Sequence, residues 1–363
     1  DYQGLNPLVR NASRTYVGPE AEIRADATVA GDGGKIITWS DNGTQFYGSA
    51  SARGGAVSGN GGFVEVSGRD FLNYMGAVNT LAPNGQNGLL LLDPTNLTID
   101  NSGTDINITP TAPFTAPVVF DGVAGQATST LTWSSIQSAL ATGNVQVTTA
   151  TGTGAGTITV TQAGSINSAN TLTLTGTANQ AITINAGITY TGGGSLVVNA
   201  AGTGTITVGS GAAISMGTGN LTMTTVNSAI SVSSAINAAT VTLNAGTSTV
   251  TLAAGADITA TGAVGLTGTG GVSIGSSITT SGTNVNFTGP VTLTGAGTSI
   301  STSNGNISFS STINATVAGG QALTLAAGTG TISITGAVGG ATQIGALTVN
   351  SAGSFNNADH HVG

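Results

Sequence analysis

The side chains best suited by type to chemistry are six acids in the first hundred residues: Asp26, Asp32, Asp41, Glu65, Asp70 and Asp93. Carboxylates in clusters hold calcium or serve as an acid–base pair, and acting on an acidic polysaccharide also needs Lys or Arg beside them. Here the acids are set in glycine-rich turns and at strand ends, where an Asp caps a corner by accepting backbone N–H bonds. Turn capping is the expected role. Between residues 122 and 358 the only acid is Asp257, with no His in that span. One carboxylate cannot serve as both acid and base. No catalytic, cofactor-binding or metal-ligating residue is therefore assigned, and no cofactor is expected.

Other motifs are weaker. Gly31-Asp32-Gly33-Gly34-Lys35 has the wrong glycine spacing for a phosphate loop, and Ile36 stands where Ser or Thr would reach magnesium. Gly59-Asn60-Gly61-Gly62-Phe63 lacks the Asp and the tandem repetition of a calcium-binding nonapeptide. The tail Asp359-His360-His361 has metal-binding side chains, but adjacent His residues near a terminus fray. The Ser and Thr residues have no nearby His to activate them. Asn42, Asn96, Asn220, Asn286 and Asn306 begin Asn-x-Ser/Thr triplets that follow from composition. Trp39, Phe46, Tyr47 and Phe63 have two readings: a grip for a sugar ring, or filling of a wider cross-section, the second being the expectation.

Charge is scarce and segregated. Charged residues make up 6 % of the 363, and the net charge is −8. All six basic residues, Arg10, Arg14, Arg24, Lys35, Arg53 and Arg69, fall in the first 69 positions. A phosphate backbone or an anionic lipid surface needs Lys and Arg, so neither nucleic acid nor membrane insertion is expected. Leu89-Leu90-Leu91-Leu92 is far short of the roughly 18 apolar residues of a membrane helix. With no Cys, stability must come from packing and backbone pairing. The lack of an initiator Met and of a signal peptide reads as a piece of a longer protein.

What positions these residues is a β pattern. From Val145 the chain is a series of alternating triplets such as Leu172-Thr173-Leu174, Ile182-Thr183-Ile184, Ile206-Thr207-Val208 and Val241-Thr242-Leu243. Period-2 alternation turns the aliphatic residues inward and Thr outward. Strands starting at 172, 196, 221, 241, 264, 285 and 307 recur every 20–25 residues, and a second series at 182, 206, 230, 250 and 272 runs beside them. That period with short strands predicts a parallel β-solenoid. A β-sandwich would need longer strands with hairpin turns, and a disordered Gly/Ser/Thr tract would lack regular triplets. A solenoid also accounts for the composition: stacked coils place like residues in columns, and columns of Lys or Glu would repel. Only Trp133, Ile136, Ala139 and Leu140 show helical spacing, predicting one or two helical turns.

The first hundred residues carry denser motifs. Gly33-Gly34-Lys35-Ile36-Ile37-Thr38-Trp39-Ser40 is followed by Thr44-Gln45-Phe46-Tyr47-Gly48-Ser49 and Ala52-Arg53-Gly54-Gly55. Then come Gly61-Gly62-Phe63-Val64-Glu65-Val66-Ser67-Gly68, Ala82-Pro83-Asn84-Gly85 and Leu89-Leu90-Leu91-Leu92-Asp93-Pro94-Thr95-Asn96-Leu97-Thr98-Ile99. This ordered set, over about residues 16–100, resembles the filamentous haemagglutinin-like exoproteins of two-partner secretion systems in Gram-negative bacteria. Asn79 stands where that family tends to carry Asp. The family's N-terminal secretion domain with Asn-Pro-Asn motifs is missing, and Asn6-Pro7-Leu8 is not that motif. The resemblance implies a right-handed parallel β-helix, export through an outer-membrane transporter, and an adhesive or matrix-forming role.

The reading is thus an all-β, right-handed parallel β-helix with about 20–25 residues per coil. Residues 1–99 form its motif-rich first part, and 100–144, with Pro110, Pro113 and Pro117, an irregular excursion or joint. Residues 145–350 form a regular Thr/Gly-rich solenoid and 351–363 a tail. The expected function is a non-enzymatic rod segment of a secreted surface adhesin, outside a Gram-negative cell. The alternatives are a subunit of a self-assembling matrix fibre and, last, a polysaccharide-active β-helix enzyme. Expected partners are the outer-membrane transporter during export, a homopolymer by end-to-end stacking, and a glycan or a host or neighbouring cell surface.

Overall fold

A computed structural model describes residues 1–92, 97–101, 129–148, 157–176 and 179–358. Asp93, Asn96, the three prolines of 100–144 and the Asp359–His361 tail lie outside the described residues. The chain is a parallel β-solenoid of about 12 turns with almost no helix. It forms two compact units, Asp1–Thr159 and Val160–Gly363.

In the second unit each coil contributes to three parallel sheets. The first runs Leu172–Gly176, Leu196–Ala200, Leu221–Thr225, Val241–Asn244 and on to Ser354–Asn357. The second runs from Ile182–Ile184 to Ile313–Ala315 and the third from Gly164–Ile166 to Leu347–Ser351. The two series of strands read from the triplets are the first and second sheets. The third was not resolved from the sequence, because its strands are as short as the two residues Ile214–Ser215. Ser354–Asn357, paired with Thr331–Ile334, likewise extends the fold past the last triplet, Leu347-Thr348-Val349.

Register makes the columns. Ile182, Ile206, Ile230, Val250, Val272, Val291 and Ile313 are successive partners and are all buried. One residue on, the outward column is Thr183, Thr207, Ser231, Thr251, Ser273, Thr292 and Asn314. The interior also accepts aromatics that stack coil on coil. Phe287 and Phe309 are register partners with ring centroids 4.6 Å apart at 3°. At the corners Gly202 and Gly246 hold φ of 59° and 55°, a conformation that carries a Cβ poorly.

The first unit has longer coils. Arg14, Gly43 and Phe71 are successive partners, 29 and 28 residues apart. Lys35, Phe63 and Leu89 are 28 and 26 apart, beyond the 20–25 of the second unit. Here the core holds Phe46 stacked on Tyr74, 5.9 Å between centroids. Burial pushes the Tyr74 hydroxyl well above its ordinary pKa. The helix forms where its spacing predicts, at Trp133–Leu140. Thr132 caps it by accepting the Ser135 N–H at 3.2 Å, and Trp133, Ile136, Ala139 and Leu140 are its buried face.

Substituting inward Ile206 or Leu243 by Asp places an unpaired carboxylate among aliphatic columns and is expected to cost several kcal/mol. Asp at outward Thr207 is expected to cost far less. Denaturant unfolding of the three variants checks this, and equal losses would mean the faces are reversed.

Candidate functional site

The structure spends most of the sequence's chemical groups on joining one coil to the next. Asp32 Oδ1 accepts the Asn60 N–H at 2.7 Å, and Asn60 Oδ1 in turn accepts the Gln86 N–H at 3.0 Å. Asp26 Oδ1 accepts both the Arg53 N–H, at 2.7 Å, and the Ser51 hydroxyl, at 2.5 Å. Asp257 Oδ1 accepts the Ser277 N–H at 2.8 Å. Asp41 instead takes the Arg69 guanidinium at 2.8 Å and the Asn11 amide at 3.3 Å. The capping role expected of these acids is therefore seen at Asp26, Asp32 and Asp257, with the capped amide in the adjacent coil. The Asp70 N–H donates to the Asn42 carbonyl at 3.0 Å. Among the described residues no group of three or more His, Cys, Asp or Glu is placed to share a metal ion.

Asparagines repeat the device. Asn284 Oδ1 accepts the Asn306 N–H and Asn306 Oδ1 the Thr331 N–H, each at 2.8 Å. Two further Asn of the Asn-x-Ser/Thr triplets also bond between coils: Asn220 Oδ1 accepts the Thr240 hydroxyl at 2.7 Å and Asn42 Nδ2 donates to Ser13 Oγ at 3.0 Å. The phosphate-loop reading fails on the same ground. Gly31, Gly33 and Gly34 donate their N–H groups to the Ser58, Asn60 and Ala25 carbonyls at 2.9, 2.8 and 2.7 Å. Lys35 points its Nζ over the Tyr2 and Phe63 rings, 5.8 and 5.4 Å from the centroids.

The four singled-out aromatics do not form one cluster. Phe46 is core. Tyr47 lies against Tyr16, 5.7 Å between centroids, and accepts the Asn73 amide at 3.0 Å. Trp39 and Phe63 share a different surface, the outward face of the strands Lys35–Ser40 and Phe63–Gly68. Glu65 stands on that face too. It is mid-strand and 0 % exposed, not at a turn or strand end as the sequence suggested. Its cover is the segment Tyr2–Gly4: Glu65 Oε1 and Oε2 accept the Gln3 N–H at 3.1 and 3.2 Å. Tyr2 packs edge-on against Phe63 at 5.7 Å. This roofed face is the one place where the described residues bring a carboxylate, a hydroxyl, an indole and a cation together.

No protein-family model matches the chain, and a search of the curated proteins returns no match. Among the described residues no helix is long and apolar enough to cross a membrane.

The capping role of Asp257 separates charge from geometry. Asp257→Asn keeps the acceptor oxygen and is expected to leave stability within about 0.5 kcal/mol of the parent. Asp257→Ala orphans the Ser277 N–H and is expected to cost about 1 kcal/mol. Chemical denaturation midpoints of the two variants are the measurement.

Proposed function

We propose that this chain is a rod segment of a secreted bacterial surface adhesin, non-enzymatic, carried outside a Gram-negative cell. The observation that carries the reading is the regularity of the unit Val160–Gly363. There the sheets repeat coil after coil, with hydroxyl and amide columns outward and the lone acid Asp257 engaged in a coil-to-coil bond. Such an object suits spacing and presentation better than turnover, which needs convergent ionisable groups. The motif resemblance of residues 16–100 adds the filamentous haemagglutinin-like family and export through a two-partner-secretion transporter in the outer membrane. A glycan or a neighbouring cell surface is the partner this reading implies.

A second reading, a fibre subunit, has its own observation. Val349 and Phe355 are 39 % and 43 % exposed, although their register partners Leu325 and Ile332 are buried. These positions suit another coil above them, from a continuing chain or from a second copy stacked end to end. Such a contact is heterologous and gives filaments rather than closed dimers.

Three results test the proposal together. Co-expression with the outer-membrane transporter is expected to place epitopes of residues 160–358 on the cell surface, and their retention inside would count against export. Beads coated with the chain are expected to attach to cells. Turnover of any polysaccharide that Asp257→Asn abolishes would overturn the non-enzymatic reading. Light scattering over a concentration series decides between rod and fibre. A monodisperse monomer at high concentration, unchanged by Val349→Asp with Phe355→Asp, removes the fibre.

A further inference from the structure

The roofed face in the first unit is built more elaborately than a coil wall requires. Lys35, Ile37 and Trp39 stand on it beside Phe63, Glu65 and Ser67, their register partners one turn away. A solenoid usually leaves such outward positions to Thr, Ser or Asn, as the second unit does. Here Glu65 and Ser67 are both 0 % exposed and Trp39 is 7 % exposed, under the chain's own residues Tyr2–Gly4.

That cover fits its floor imperfectly. Trp39 Nε1 and Ser67 Oγ, on register-paired residues, are buried with no hydrogen-bond partner. A buried donor left unmade is costly, and native proteins seldom leave two together. The cover itself is held awkwardly. Gln3 has a φ of 51°, uncommon for a residue with a side chain. Gly4 fits only because it has no Cβ, since one would lie 2.5 Å from Trp39 Nε1. The contacts that are satisfied are those a ligand would make: an N–H on the carboxylate and an apolar ring on Phe63.

We propose that the outward face of Lys35–Ser40 and Phe63–Gly68 is a saccharide-binding site, held in this conformation by residues 2–4 in the place of the ligand. The chemistry selects the class. An indole and a phenyl ring offer flat apolar surfaces to the C–H face of a pyranose. The Glu65 carboxylate accepts from hydroxyl groups, the indole N–H donates to one, and the Ser67 hydroxyl can do either. A uronate is disfavoured, because its carboxylate would be buried against that of Glu65. The site therefore takes a neutral hexose or an N-acetylhexosamine. This deepens the adhesive reading and rests on it only for the source of the sugar, a cell-surface glycan.

The test uses the full chain and two forms with the cover displaced, Gly4→Leu and a deletion of residues 1–5. Saturation-transfer NMR and calorimetry would follow methyl glycosides of glucose, galactose and N-acetylglucosamine, with methyl glucuronide as the disfavoured probe. At least one neutral glycoside is expected to bind both displaced forms about tenfold or more tighter than the parent chain. Glu65→Gln or Ser67→Ala in the deleted form is expected to weaken it by about tenfold, with circular dichroism unchanged. Any of four results would overturn the proposal. The first is no glycoside bound by either folded form, and the second is binding that survives both floor substitutions. The third is rebinding of a synthetic peptide of residues 1–7 in place of any sugar, which marks a peptide lock. The last is loss of β-structure in both displaced forms, which marks the segment as part of the fold. None of these four bears on surface export or bead attachment, so the rod reading stands or falls separately.

Discussion

Every strand of the second unit in the first two sheets finds its hydrogen-bond partner one turn of chain away, in parallel and in register. That single constraint governs the rest. Parallel pairing at about 4.8 Å brings side chains of equal rank into contact, so each position in a coil inherits the chemistry of the positions before and after it. A column of Val and Ile buries a continuous apolar seam. A column of Thr, Ser and Asn presents hydroxyls and amides without like-charge repulsion. Charge depletion to 6 % is thus a consequence of stacking.

The corners are where the constraint is hardest to meet, because the chain must leave one sheet and enter the next while its backbone groups still find partners. Glycine in the left-handed region makes the turn at positions such as Gly202 and Gly246. The Asx oxygens make the join: at Asp32 and Asn60, and again at Asn284 and Asn306, each accepts the amide one coil further on. A carboxylate and a carboxamide serve equally, since only one acceptor oxygen is used. Acids that look like chemistry in the sequence are largely joinery in the fold.

The sequence carried the period, the inward and outward faces, two of the three sheets and the helix at Trp133–Leu140, because each of these is written in local alternation or spacing. The third sheet escaped, since strands such as Ile214–Ser215 are too short to alternate. Coil length in the first unit escaped as well, as it is set by pairings such as Lys35 with Phe63, which no local pattern reports. The same holds for the face under Tyr2–Gly4. Alternation alone places Trp39 opposite in sense to Ile36 and Thr38, hence outward. That Ser67 stands beside it, and that Glu65 is sealed by a backbone N–H from Gln3, follows from contacts 62 residues apart in the chain. Sequence proximity suggested one cluster of four aromatics; strand parity splits it into core and surface.

The two units therefore differ in what their outward positions can do. In the second, three-residue strands expose a single outward side chain between two buried ones, as at Ile182–Ile184. A lone outward residue per strand makes a column but no pocket. The six-residue strands Lys35–Ser40 and Phe63–Gly68 of the first unit expose three each, wide enough to seat another segment against them. Width on the outer face, more than the kind of residue present, is what lets a solenoid wall bind. The coils of 26–29 residues supply that width, and the basic and most of the acidic side chains of the chain are found within the same unit. Recognition is accordingly concentrated where the coil is long, and the short coils are left to repeat.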